Sequence, residues 1–179
     1  MKRIFILCFI LILGFTGVCS ADAYTLQISN LGAERFVQEY NSATYNEHER
    51  MDYFVAPECA TPLNWKGKWP YDLWRTISID SKYCLELTVN KQGYVTEAKI
   101  ICAYPSDVKN AVRMMVYMLN ESSILSKSQI DYLLKSVKTH KGNNNKSYCS
   151  GTVVANNRTT IVFNSGGNSV SVHGIDPYD

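Results

Sequence analysis

From Tyr83 to Tyr104 the chain alternates apolar and polar positions with a period of two, the spacing that sends successive side chains to opposite faces of a β-strand. Leu85, Leu87 and Val89 interleave with Cys84, Glu86 and Thr88, and Asn90-Lys91-Gln92-Gly93 then breaks the run. Asn and Gly tolerate the left-handed backbone angles of a tight reversal. The pattern predicts a β-hairpin in which Val89 faces Tyr94. Leu85 and Leu87 then share a core face with Thr96, Ala98, Ile100 and Cys102, while Glu86, Glu97 and Lys99 point to solvent. Upstream, Trp74 to Asp80 alternates Ile77 and Ile79 with Thr76 and Ser78, and Asp80-Ser81-Lys82 turns this strand into the hairpin. A three-stranded antiparallel meander results.

Elsewhere the apolar period lengthens to that of a helix. Between Leu31 and Asn46, Phe36, Val37, Tyr40, Ala43 and Thr44 fall on one stripe, with Asn30 placed to cap the first turn. After Pro105, Ser106 is positioned to cap a helix over Asp107 to Asn120, whose apolar residues cover more than half its circumference and predict near-complete burial. Ser126-Lys127-Ser128-Gln129 has the form of a capping box. The helix it starts carries Ile130, Leu133, Leu134 and Val137 on one face and is expected to run through Lys138, His140 and Lys141 to Gly142. A second hairpin is predicted over Tyr148 to Ala155 and Arg158 to Phe163 around Asn156-Asn157. Gly166-Gly167-Asn168 reverses the chain into a short strand ending at His173, with a loose tail over residues 174–179. Between the first helix and the meander, residues 47–73 read as an irregular insertion. A short strand is expected at Met51 to Ala56, and loop from Pro57 to Pro70. The fold class predicted is α+β, with an N-terminal helix, an antiparallel meander, two helices packed on the sheet and a C-terminal β-hairpin.

The first residues do not belong to this pattern. Lys2 and Arg3 precede an apolar run from Ile4 to Phe15, and the small residues Ala21-Asp22-Ala23 follow, the layout of a signal peptide cut after Ala23. Residues 24–179 then form a single exported domain, secreted or periplasmic, that buries roughly 70% of the surface its unfolded chain exposes. A lipid anchor at Cys19 is disfavoured because Val18 is bulkier than the small residue such cleavage sites carry, and no membrane span is expected after cleavage. The formal net charge is only +2, with the basic residues scattered among acids. Nucleic acid is excluded as a partner on this ground, since phosphate backbones require a concentrated basic face.

Four cysteines follow the leader: Cys59, Cys84, Cys102 and Cys149. An even count in an oxidising compartment predicts two disulfides. In the hairpin register Cys84 and Cys102 point to opposite faces, so each is expected to reach outside the hairpin, to Cys59 and Cys149. No metal site is predicted, because there is no Cys-x-x-Cys and no His at ligand spacing, and no cofactor motif is present. Gly166-Gly167 is turn chemistry.

The candidate binding residues are Trp65, Lys66, Lys68, Trp69 and Tyr71, in a stretch that, with Trp74, gathers all three tryptophans into ten residues. Aromatic rings offer large contact area at low entropic cost, and flanking lysines pair with anionic groups. The competing reading is that these rings staple an irregular loop to the sheet. His48, His140 and His173 lie in separate elements and no nucleophile elbow accompanies them, so no catalytic residue is assigned. Glu47, Glu49 and Asp52 read as a solvated helix end, and Met114, Met115 and Met118 as core filler.

The order of helix, meander with the Asn90 to Gly93 turn, apolar helix (VKNAVRMMVYML), capped helix (SKSQIDYLLKSV) and terminal hairpin with TIVF resembles a group of small exported bacterial α+β domains over Leu31 to Ser165. The resemblance implies fold and export and no activity. The expectation is a non-enzymatic domain that binds a protein or cell-surface component through the tryptophan-rich stretch and the adjoining sheet edge. A small secreted hydrolase with a Cys or Ser nucleophile paired to His140 or His173 is the alternative from another class, and a structural or assembly protein is a third.

Overall fold

In the computed structural model the described residues are 26–46, 53–61, 71–142, 147–156 and 159–175. The leader, the tryptophans at 65 and 69 and the lysines at 66 and 68 therefore lie outside the described residues. The elements are α1 (Ala33–Asn46), β1 (Glu58–Thr61), β2 (Asp72–Ile77), β3 (Tyr83–Val89), β4 (Val95–Cys102), a 3-10 turn (Pro105–Asp107), α2 (Val108–Ser122), α3 (Lys127–Ser136), β5 (Lys138–Lys141), β6 (Ser147–Val154), β7 (Thr160–Gly166) and β8 (Ser169–Ile175). The fold is α+β, as the patterning predicts.

All described strands join one antiparallel sheet in the order β1-β2-β3-β4-β8-β7-β6-β5. The meander and the C-terminal hairpins are thus halves of a single sheet, sewn together where β8 returns to lie beside β4, with Ala98 opposite Val172 and Ile100 opposite Val170. Within the first hairpin Leu85 stands opposite Ile100 and Leu87 opposite Ala98, the face expected. At the turn Val89 pairs with Val95 instead of Tyr94, because the register shifts between Thr88 and Val89. Asn90 sets that turn. Its Oδ1 accepts from the Gln92 and Tyr94 amides at 3.1 and 3.0 Å, and Gly93 adopts φ 86°.

The core lies between one sheet face and the helices. α2 crosses the centre of the sheet against β4, β7 and β8, α1 packs on α2, and α3 lies against β6. Met114, Met115 and Met118 of α2 are fully buried, as are Phe36, Val37 and Tyr40 of α1. Burying one such side chain contributes roughly 1.5–3 kcal/mol, so the alternation along the central strands is the main specification of the fold. A short N-terminal segment closes one end. The Ile28 and Ser29 amides donate to Val95 O at 2.9 and 3.2 Å, Val95 N donates to Leu31 O at 3.0 Å, and the Ser29 hydroxyl donates to Ser122 O.

Several sequence expectations need correction. Pro57 to Pro70 is not wholly loop, since Glu58–Thr61 forms the edge strand β1. Met51 to Ala56 gives no described strand, only a bridge from Phe54 to Ser78. The strand before the hairpin begins at Asp72, and it buries Thr76 and Ser78 while Ile77 and Ile79 are about half exposed. Pairing decides this. Thr76 faces Leu85 across the sheet, its hydroxyl donates to Val55 O at 2.5 Å, and Ser78 Oγ donates to Asp80 and accepts from Tyr83 N. Ser106 does not cap α2, which instead follows the 3-10 turn with no side-chain cap at Asp107.

The capping box at Ser126 and Gln129 forms as predicted. The helix it starts ends early, at Ser136, and Lys138–Lys141 becomes the edge strand β5. Ser136 Oγ donates to Thr152 O at 3.1 Å and accepts from Thr152 N at 3.0 Å, and Val137 turns extended with ψ 124°. Tertiary bonding to β6 thereby removes the last helical turn. The tail is firmer than expected up to Ile175, and a Cβ at Gly174 would stand 2.1 Å from Leu26 O.

Candidate functional site

Among the described residues the sheet has one helix-covered face and one open face, and the strand period assigns each residue to one of them. Across the open face run in-register rows of polar side chains. One is Glu58, Arg75, Glu86, Lys99, Ser171, Asn164, Ser150 and Lys138, reaching from edge to edge. Arg75 and Glu86 close an ion pair at 2.8 Å within it. The neighbouring row places Thr88 beside Glu97 and Glu97 beside His173.

At the end of that second row a shallow groove of about 320 Å3 opens, lined by Leu26, Tyr71, Thr88, Thr96, Glu97 and His173. Each part has an identifiable origin. Thr88, Glu97 and His173 arrive from three adjacent strands by register alone, Leu26 by the close approach that Gly174 permits, and Tyr71 at the entry to β2. The Thr96 hydroxyl donates to Thr88 O at 3.2 Å and the Thr88 hydroxyl to Glu97 Oε2 at 3.4 Å. The Thr96 proton is thus held by the backbone and the Thr88 proton by Glu97, and a carboxylate, an imidazole and a phenol border the groove. Such a lining receives a hydrogen-bond donor, an amide or cationic group, at Glu97, with apolar contact from Leu26 and the Tyr71 ring.

Of the predicted binding residues, Tyr71 lies in this groove, whereas Trp65, Lys66, Lys68 and Trp69 fall outside the described residues. Trp74 is among the described residues. It faces Leu87 on the helix-covered side and packs against the core. The sequence pattern does not single out Thr88, Thr96, Glu97 and His173 as a group. A usable signal exists for two of them, because Thr88 and Glu97 share the polar face of the predicted hairpin; His173 joins only through the β4–β8 pairing.

The four described cysteines, Cys59, Cys84, Cys102 and Cys149, are free. No two of them stand at disulfide distance, so the expected pairings of Cys84 and Cys102 with Cys59 and Cys149 are not seen, for a topological reason. β2 separates Cys59 from Cys84, which lie on opposite faces, and β8 and β7 separate Cys102 from Cys149. Strands about 4.8 Å apart place such residues beyond the roughly 7 Å Cα separation a disulfide tolerates. Burial raises the Cys102 thiol to about 11, with Asp107 adding to the effect, and burial followed by Glu86 also raises Cys84. Raised thiols carry little thiolate at neutral pH.

Of the histidines, His48 lies outside the described residues, and neither His140 nor His173 is placed with a cysteine or serine nucleophile. His140 stacks on Tyr148, ring centroids 5.2 Å apart, on the open face, whereas Cys149 points to the helix side with Thr139 at 3.6 Å. His173 borders a groove that contains no serine or cysteine side chain. Among the described residues no group of three or more His, Cys, Asp or Glu is placed to hold a metal ion, and no described helix is long and apolar enough to cross a membrane. Compared with protein-family models, curated proteins and solved structures, the chain matches none.

Proposed function

We propose that the chain is an exported, non-enzymatic interaction domain that engages a protein partner or cell-surface component with the open face of its sheet, at the end where the tryptophan-rich stretch enters β2. The observation that carries this reading is the position of Tyr71. The last residue of the aromatic stretch borders a groove with Glu97 and His173, so the stretch and the open face adjoin one another in the chain path. The helix-covered face is occupied by the core, which leaves the open face to present side chains to a partner. Glu97 gives the groove its polarity, and the group it receives is a hydrogen-bond donor such as a lysine, arginine or amide of the partner.

The reading is tested by placing a photo-crosslinking amino acid at position 71 and, as a control on the helical side, at the exposed Tyr132, in the producing cell. A discrete adduct from position 71 that is absent from position 132 and is lost with Glu97→Gln supports it. Equal labelling from both positions overturns it. Trp65→Ala with Trp69→Ala should reduce that adduct while leaving the melting temperature within a degree or two; a loss of several kcal/mol would assign those rings to the core.

A further inference from the structure

On the same open face, at its other end, lies a second concave site. Along one in-register row β5, β6, β7 and β8 contribute His140, Tyr148, Gly166 and Ser169, and the adjacent row contributes Asn164 and Ser171. Tyr148, Asn164, Gly166, Ser169 and Ser171 line a groove of about 360 Å3, at the lower end of the roughly 300–1,000 Å3 of small-ligand sites.

Tyr148 is built into this groove asymmetrically. His140 covers one face of its ring in a stack at 27° between planes. On the other side its neighbour is a glycine, and a Cβ at 166 would meet Tyr148 Cβ at 2.6 Å. The glycine places no side chain beside Tyr148 on that strand, and Tyr148 is 41% exposed although its backbone is paired on both sides. Around that ring the described lining carries no charge. Among the described residues the side chains of Asn164, Ser169 and Ser171 make no hydrogen bond, so an amide and two hydroxyls present unused donors and acceptors.

We infer that this groove binds an uncharged saccharide, whose apolar C–H face lies on the exposed ring of Tyr148 and whose hydroxyls bond Asn164, Ser169 and Ser171. The chemistry discriminates among ligands. No lining residue offers a counter-charge to a charged ligand, the lysine opposite Ser171, Lys99, standing on the next strand outside the lining, and an apolar ligand would desolvate the amide and both hydroxyls without replacing their bonds to water. A sugar ring satisfies both requirements, with its axial C–H groups meeting the negative face of an aromatic ring and its hydroxyls matching neutral donors and acceptors. Ser171 and His173 are two apart on β8 and point to the same face, so the site adjoins the Tyr71 groove without sharing a side chain with it.

The test is a titration of isotopically labelled protein, followed by amide shifts, with cellohexaose, maltohexaose and chitohexaose and with a galacturonic acid hexamer as the charged counterpart. At least one neutral oligosaccharide should shift the amides of Tyr148, Asn164, Gly166, Ser169 and Ser171 while leaving Thr88 and Glu97 unmoved. Tyr148→Ala should weaken that binding by about tenfold or more and Tyr148→Phe by no more than about threefold, since the ring and not the hydroxyl supplies the contact. If Tyr148→Ala disturbs the fold, Asn164→Ala takes its place, with weakened binding expected. No shift with any neutral oligosaccharide, shifts confined to Thr88, Glu97 and His173, equal affinity for the galacturonic hexamer, or affinity unchanged by both Tyr148→Ala and Asn164→Ala would overturn the inference. A failure of the Tyr71 crosslink would leave it standing, because the two sites use different residues.

Discussion

The two faces of the sheet are built from the same strands and differ in almost every physical respect. On the covered face Leu85, Leu87, Ala98, Ile100, Val170, Val172, Ile161 and Phe163 are buried in the core between sheet and helices. One residue away in each strand, Glu86, Thr88, Glu97, Lys99, Ser171 and Asn164 carry no helix and are only half-buried. The core and the proposed recognition surface are therefore separated by pleat and not by position along the chain. A substitution at one strand residue should register in melting and at the next in binding. The cysteines obey the same division, Cys102 sealed on the covered face and Cys84 turned to the open one.

The most severe challenge to that division is to remove covered-face volume. Leu87→Ala and Ile100→Ala should each lose about 2–5 kcal/mol in urea unfolding, whereas Lys99→Ala, on the other face, should change stability by under about 0.5 kcal/mol; equal costs would refute the division. A smaller loss, about 1–3 kcal/mol, is expected for Gly174→Ala, whose new methyl group would collide with the Leu26 backbone and loosen the segment over Val95. Hydrogen exchange of that variant should also show faster amide exchange at Ile28 and Ser29. Ser126→Ala removes one half of the capping box and should cost about 1 kcal/mol.

Acid titration probes the turn that feeds β3. Burial alone would raise the Asp80 carboxyl, but bonds from Ser78, the Lys82 amide and the Lys82 ammonium outweigh it and hold it below the ordinary value. A carboxylate depressed in the folded state adds stability above its unfolded value near pH 4, and loses it as pH falls through the folded value. Asp80→Asn should therefore be less stable than the parent at pH 7 and approach it as pH falls below the lowered folded value of the carboxyl. The smallest effect concerns reactivity. Under native conditions iodoacetamide should modify exposed Cys59 first and buried Cys102 last; rapid labelling of Cys102 would mean that the covered face opens.

Which elements were legible in the sequence follows from where their specification is local. The first hairpin's strands, turn and faces are written by alternation and by Asn90 and Gly93, and α3 begins where Ser126 and Gln129 satisfy each other's backbone donors, so these read correctly from neighbours a few residues apart, whereas the pairing of Val89 with Val95 in place of Tyr94 did not. β5 did not, because Lys138 to Lys141 suits a helix C-terminus by charge and becomes a strand only when Ser136 bonds Thr152. Thr76 and Ser78 are buried against the usual preference because β3 sets their register. The candidate site divides in the same way: Tyr71 stood out in an aromatic-rich stretch, while Glu97 and His173 become neighbours only when β8 returns beside β4.

The α+β class, the period of most elements and the sides that the central strand residues share were all present in the amino-acid order, since these depend on contacts between near neighbours and on the fixed geometry of the backbone. Folding of the whole chain was needed to show that two hairpin systems form one sheet, that the cysteines stand too far apart to join, and that the grooves at Tyr71 and Tyr148 lie on the same open face. Those facts depend on strand order, and strand order arises from pairings between segments far apart in the chain, for which no local spacing carries a signal.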